Sequence, residues 1–372
     1  MSIIDGTRNA TLADLADLLA KQQARKVDLI ASPSMIRAED GKLVIKGTDP
    51  IIEPSGVTTA DGVYYVTNVC DDGISERLGI PRAYLRRLRE SNVALYDANI
   101  NGWLSQETKP TMVRAFRSFE QGGVGIARAY LSDRYSRLDN LDALAATLEG
   151  LSEAGVELSP ENMTCDLTER RMTVRVTAPQ IAALAPELLK GYRSPFTGQT
   201  GDENPTVFAG FILSNSETGG GAWTITPRLV VQVCDNGMKI TKDAMRAVHI
   251  GVKQDEGVLW SSDTQRKALD LVVARTRDAV AQFLNIEYMT KTIKKLTEAA
   301  GKPVETVDEV KTMGKALALS EEHINGILGK FIKGGQMTVG GVSQAITAFA
   351  QEVEDADDAY LLETAGSKLL GV

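Results

Sequence analysis

Histidine, cysteine and long apolar runs are scarce in this chain, and each scarcity removes a class of function. The two histidines, His249 and His323, stand about seventy residues apart. No cluster of His, Cys and carboxylate has metal-ligand spacing, so no zinc or di-iron site is expected. The three cysteines, Cys70, Cys165 and Cys234, are odd in number and widely spaced. They read as reduced thiols of a cytoplasmic protein, not as a disulfide framework. No segment approaches the ~18 consecutive apolar residues of a membrane span. The opening stretch MSIIDGTRNA has neither the basic nor the apolar region of a secretory signal. Walker-A loop, dinucleotide-binding glycine fingerprint and nucleophile elbow are all missing. Gly219–Gly221 is glycine-rich but lacks the lysine and the following helix of a phosphate cradle. No cofactor, no metal and no catalytic residue is therefore assigned, and the reading leans away from an enzyme. Cys234 with Asp235 and His249 has the residue types of a thiolate–imidazole pair. A buried cysteine at a strand end is the commoner setting for such a residue.

What is present is an ordinary soluble composition, 43% apolar and 24% charged over 372 residues. That length suffices for one large domain or two. The most patterned stretch is Val207–Ile240. Phe208–Leu213 is an apolar run of strand length, and Gly219-Gly220-Gly221 permits a reversal. Ala222–Val233 resumes as a strand rich in Trp, Thr, Ile and Val. Pro227 implies a sheet edge or a bulge, and Asn236-Gly237 reads as the closing turn.

Upstream, Thr11 and Asp14 open a helix with leucines at helical spacing. Asp40-Gly41 reads as a hairpin turn. Asp72–Glu90 reads as two short helices broken at Gly79, with Pro81 at the first turn of the second. Such a corner has the spacing of a helix-turn-helix, although ordinary helical corners look the same. Met112–Phe119 and Val124–Leu131 read as strands, Ala178–Leu189 as a helix, and Gly191–Pro205 as a long loop. From Asp263 onward the pattern is helical throughout. The expected class is α+β: a mixed, mainly antiparallel sheet core with an all-helical C-terminal third. Expected divisions are residues 1–54 as a helix and hairpin, 55–262 as the core domain, and 263–372 as the helical region.

The net charge of −8 argues against a chain coated for nucleic acid. The charge is uneven, however. Residues 77–137 hold eleven Arg or Lys against five acids, a local net of +6. Ten of the eleven are arginine, the residue suited to bidentate phosphate contact. A solvated, internally paired face is the commoner meaning of such a bias.

The order Asn215-Ser216-Glu217, a glycine-containing turn, Arg228, then Cys234, Asn236-Gly237 and a later His249 resembles a family of phage- and plasmid-encoded proteins. That family is known as a domain of unknown function, number nine-three-two. Leu78-Gly79-Ile80-Pro81 with Tyr84, and Arg128–Tyr135, resemble its upstream blocks, and Ala345–Gln351 its downstream block. The resemblance implies a phage or plasmid context and no particular activity.

Arginine density and that context together lead to an expected function: nucleic-acid binding, with single-stranded DNA as partner, in replication or recombination. Arg82, Arg86, Arg87, Arg114, Arg117, Arg128 and Arg134 are the expected phosphate contacts. Tyr84, Phe116 and Tyr135 are the expected stacking residues. The alternative is an assembly or protein-interaction factor acting as a homo-oligomer, through its acidic C-terminal helices. The nucleic-acid reading requires the arginines to converge on one open surface.

Overall fold

The computed structural model describes residues 4–53, 56–118, 122–133, 135, 138–156, 159–234, 236–247 and 262–371. Its strands are β1 (Thr7–Ala10), β2 (Lys26–Ala31), β3 (Ile36–Glu39), β4 (Lys42–Ile45), β5 (Ile51–Glu53), β6 (Gly56–Thr58), β7 (Gly62–Val66), β8 (Thr111–Phe116) and β9 (Gly125–Ser132). They continue as β10 (Met163–Leu167), β11 (Met172–Leu184), β12 (Thr206–Asn215), β13 (Trp223–Val231), β14 (Asn236–Lys239) and β15 (Met245–Ala247). The helices are α1 (Leu12–Gln23), α2 (Asn68–Leu78), α3 (Arg82–Ser91), α4 (Val93–Leu104), α5 (Asn140–Glu153) and α6 (Pro186–Leu189). The chain ends in α7 (Ser262–Phe283), α8 (Ile286–Ala300), α9 (Val307–Ala316), α10 (Glu321–Gly334), α11 (Val339–Glu352) and α12 (Ala356–Leu369).

Two large sheets and a separate two-stranded one, β5-β6, organise these elements, and the class is α+β. The larger runs β1-β10-β11-β12-β13-β14, antiparallel throughout, with β15 also on β13. The smaller runs β2-β8-β9-β7-β4-β3, antiparallel except where β7 meets β9. Period-2 alternation decides which face of the larger sheet is apolar. Val207, Ala209, Phe211 and Leu213 of β12 point to one side and are buried. One end of that side packs with α1, α5 and α7, the other with helices from α8 to α12. The smaller sheet buries its own apolar side against α2, α3 and α4.

Local signals explain several elements. Thr11 and Asp14 form a reciprocal capping box on α1. Asp40 and Gly41 both take positive φ, 51° and 70°, which is the two-residue hairpin geometry expected between β3 and β4. Gly79 caps α2 in the left-handed region at φ 68°. Pro227 sits on β13 between the stretches paired with β14 and β15, and its carbonyl accepts from Ile240 N at 2.8 Å. Its nitrogen shares that side, so no ladder donor is missing.

Three expectations need correction. Asn236-Gly237 is not a turn: Asn236 pairs with Val231 and Gly237 with Val230 inside the β13–β14 ladder. Ala178–Leu184 is strand, not helix, because it continues the ladder with β12 after a bulge; helix resumes only at α6. The boundary at residue 54 cuts through a sheet. Residues before it supply β1 to the larger sheet and β2, β3 and β4 to the smaller one.

Candidate functional site

The polar side of the larger sheet follows from the same alternation. Thr173, Arg175 and Thr177 of β11 point away from the apolar core, as do Phe208, Gly210 and Ile212 of β12 and Arg228 and Val230 of β13. On that side a chamber of about 520 Å³ opens beneath the C-terminal end of α11 and one face of α12. Arg8, Arg175 and Arg228 line it, with Thr347 and Gln351 from α11 and Glu363 from α12.

The cations form a chain with two carboxylates. Arg8 Nη1 donates to both oxygens of Asp166 at 3.0 Å. Arg175 Nη1 donates to Asp166 at 2.5 Å and Arg175 Nε to Glu363 at 2.8 Å. Lys239 Nζ lies 3.1 Å from the other Glu363 oxygen and 3.4 Å from the Tyr360 ring centroid. Arg8 also donates to the carbonyls of Ala350 and Val353, tying β1 to the end of α11. Among the described residues, Arg175 Nη2 is buried without a hydrogen-bond partner.

Two glycines make room for Arg228. A Cβ on Gly210, its cross-strand partner, would lie 3.3 Å from Arg228 Cγ and 2.4 Å from the Val176 carbonyl. A Cβ on Gly237 would lie 2.6 Å from Arg228 Cζ. The second glycine is thus required by the guanidinium lying over it, not by a turn.

The electrostatics are those of an electropositive interior. Burial would raise the Glu363 carboxyl, but Arg175, Lys239 and Arg228 outweigh it and hold the group at about 2. Burial pushes Lys239 down to about 8; Glu363 opposes that fall and Arg175 adds to it.

The motif Asn215-Ser216-Glu217 lies elsewhere, at the seam between the two sheets. Glu217, 2% exposed, accepts from Lys26 Nζ and Arg128 Nη1 at 2.6 Å each, and from the Asn140 backbone N–H at 2.6 Å. The last bond places a carboxylate at the N-terminus of α5, where the exposed N–H groups favour it. Arg114 binds Asp28 with two bonds of 3.0 and 2.8 Å, reaches Asp139, and donates to the Glu217 carbonyl at 3.0 Å. Asn215 Nδ2 donates to Leu138 O and Asn140 Oδ1, and Tyr135 OH to Ser216 O at 3.0 Å. Burial would raise Glu217, yet Arg128, Lys26 and Arg114 hold it well below the ordinary carboxylate range. This is a buried ionic seam that fastens the smaller sheet to the larger.

These positions correct the expected phosphate contacts. Arg114 and Arg128 are 0% and 4% exposed and paired to carboxylates, so neither reaches a nucleic-acid backbone. Phe116 is 1% exposed and lies under Arg128, 4.1 Å from its Cζ, so it cannot stack on a base. Tyr135 serves the seam. Arg86 shares Asp72 with Arg170, and Arg82 meets Glu76 at 3.3 Å. Arg117 is half-buried, its backbone N–H donating to Arg25 O. Arg82, Tyr84 and Arg87 keep exposed side chains on α3. Arg134, Asp235 and His249 lie outside the described residues.

Of the remaining motif residues, Arg228 and Gly237 meet at the chamber, while Asn236 contributes its backbone to β14. Cys234 is buried, its Sγ receiving the Tyr192 hydroxyl at 3.4 Å and its carbonyl the Gln351 side chain at 3.2 Å. The acidic turn Glu354–Asp358 shares a cleft of about 1030 Å³ with Arg86, Arg170 and Arg171 of the same chain.

Sequence reasoning missed Arg8, Asp166, Arg175, Lys239 and Glu363. One signal was available: Thr173, Arg175 and Thr177 alternate with the apolar Met172, Val174 and Val176, marking a polar face with a cation at its centre. No protein-family model, curated protein or solved structure matches the chain.

Proposed function

We propose that this protein is a binding protein for a small anion, held in the chamber between the larger sheet and helices α11 and α12. One observation carries the reading: Arg8, Arg175 and Arg228 arrive from three strands at the wall of one chamber, beside the carboxylate of Glu363. Arg175 Nη2 is buried without a hydrogen-bond partner, and a bound anion would satisfy that donor. Guanidinium groups suit phosphate or carboxylate oxygens through paired donors. Thr164, Thr177 and Gln351 supply neutral hydrogen-bonding groups around them.

The reading is tested by thermal unfolding in phosphate, sulfate and chloride at equal ionic strength. A saturable rise in Tm with phosphate or sulfate over chloride is expected, because a ligand that binds only the folded state stabilises it. Identical curves in all three salts contradict the reading.

Single-stranded nucleic acid is a second reading, now resting on α3, where Arg82, Tyr84 and Arg87 are exposed. Filter binding of labelled single strands at two salt concentrations tests it. Salt-sensitive retention that drops in an Arg82→Ala/Arg87→Ala variant supports it. No retention ends it.

A further inference from the structure

The chamber is divided into two chemical zones, and the division follows from strand register. Thr177, Gly210, Arg228 and Lys239 lie in one row across β11, β12, β13 and β14. The next row holds Phe208, Val230 and Gly237. Thr177 and Arg228 of the first row line the chamber, so its cationic side abuts an apolar one, with the half-buried Phe208 and Pro179 at the chamber wall. Gly237 bears no side chain, and the Arg228 guanidinium lies over it.

An inorganic ion needs only the first zone. The volume of about 520 Å³ falls in the range of small-molecule sites, roughly 300–1,000 Å³. It far exceeds what one phosphate fills. Sites of that size pair a few placed polar groups with apolar or aromatic walls that receive the ligand's body.

We infer that the ligand is an organic phosphate monoester carrying a planar ring, its phosphate at Arg175 and Arg228 and its ring against Phe208. This rests on the anion-binding reading and specifies the rest of the molecule. Glu161 stands at the chamber wall as well. Its carboxylate, with that of Glu363 beside Arg175, disfavours a highly charged ligand, so a monoester fits better than a bis-phosphate.

Isothermal titration of the full chain with inorganic phosphate, phenyl phosphate and adenosine monophosphate tests the inference. At least tenfold tighter binding of one or both ring-bearing esters than of inorganic phosphate is expected. In Phe208→Ala that advantage falls to threefold or less while inorganic phosphate binds as before. Adenosine monophosphate exceeding phenyl phosphate would identify a nucleotide; the reverse order would identify a simpler aryl ester. Inorganic phosphate binding as well as both esters overturns the inference and leaves the anion reading standing. No binding of any of the three overturns both. An unchanged advantage in Phe208→Ala also overturns the inference, because the ring then lies elsewhere.

Discussion

Gly237 lies directly beneath the guanidinium of Arg228: a methyl group there would sit 2.6 Å from Arg228 Cζ and 2.8 Å from Nη2. The obstructed atoms are the far end of a flexible side chain, not backbone. Gly237→Ala is therefore expected to cost only about 1 kcal/mol of stability while moving the guanidinium aside. Phosphate affinity should drop at least fivefold, measured by titration calorimetry on a variant whose melting curve stays cooperative. Unchanged affinity would remove Arg228 from the site.

Glu217 is expected to be the most costly side chain to alter at the seam. Glu217→Gln leaves Lys26, Arg114 and Arg128 beside a neutral group in a closed interior. Breaking a buried ionic cluster from one side costs about 3–5 kcal/mol, measurable by urea unfolding. A loss under about 1 kcal/mol would mean that the two sheets are held by apolar packing alone.

Two pH effects of the same sign should appear in separate windows, stability rising with pH in each. Glu363 is held at about 2 in the folded chain against an ordinary 4.5. A depressed carboxyl contributes stability that is present above pH ~4.5 and lost as pH falls toward 2. Lys239 is lowered from 10.5 to about 8. Between those values the unfolded chain binds a proton that the folded chain does not, so stability rises with pH across that window. Lys239→Met should flatten the alkaline rise, and Glu363→Gln should reduce the acid loss. Urea midpoints measured from pH 2 to 10.5 check both signs.

The cysteines should be inert while the protein is folded. Burial pushes Cys165 up to about 12 and Cys70 well above the ordinary thiol range. Cys234 is 6% exposed. Thiolate and access are both needed for reaction. Labelling with a thiol reagent should remain near zero in native buffer and reach three equivalents in denaturant. Rapid labelling of Cys234 in native buffer would reopen a nucleophilic role.

Much of the fold was legible in the sequence. Asp40-Gly41, Thr11 with Asp14, Gly79 before Pro81, and the Gly219–Gly221 reversal are local signals whose physics acts locally, and each marks the element expected. Asn236-Gly237 misled because glycine has more than one use. Here it clears space for Arg228 from the neighbouring strand, a cause that no local window contains. Ala178–Leu184 misled because pairing with β12 overrides helix propensity.

The site was less legible for a related reason. Charge density between residues 77 and 137 predicted a cationic surface, but Glu217, Asp28 and Asp139 lie outside that window or beyond its end and neutralise its centre. The chamber draws on residue 8, residues 166–175, residues 228–239 and residue 363, a convergence set by strand order. What could be read was the alternation Thr173-Arg175-Thr177, which placed a cation on a polar strand face without naming its neighbours.

Calorimetric titration of inorganic phosphate into the native chain and into Arg228→Gln, at pH 7 and constant ionic strength, tests the anion chamber most directly. A saturable one-site isotherm in the native chain, weakened at least tenfold in the variant, is the predicted result. Absence of saturable heat in the native chain, or equal affinity in both proteins, would contradict it.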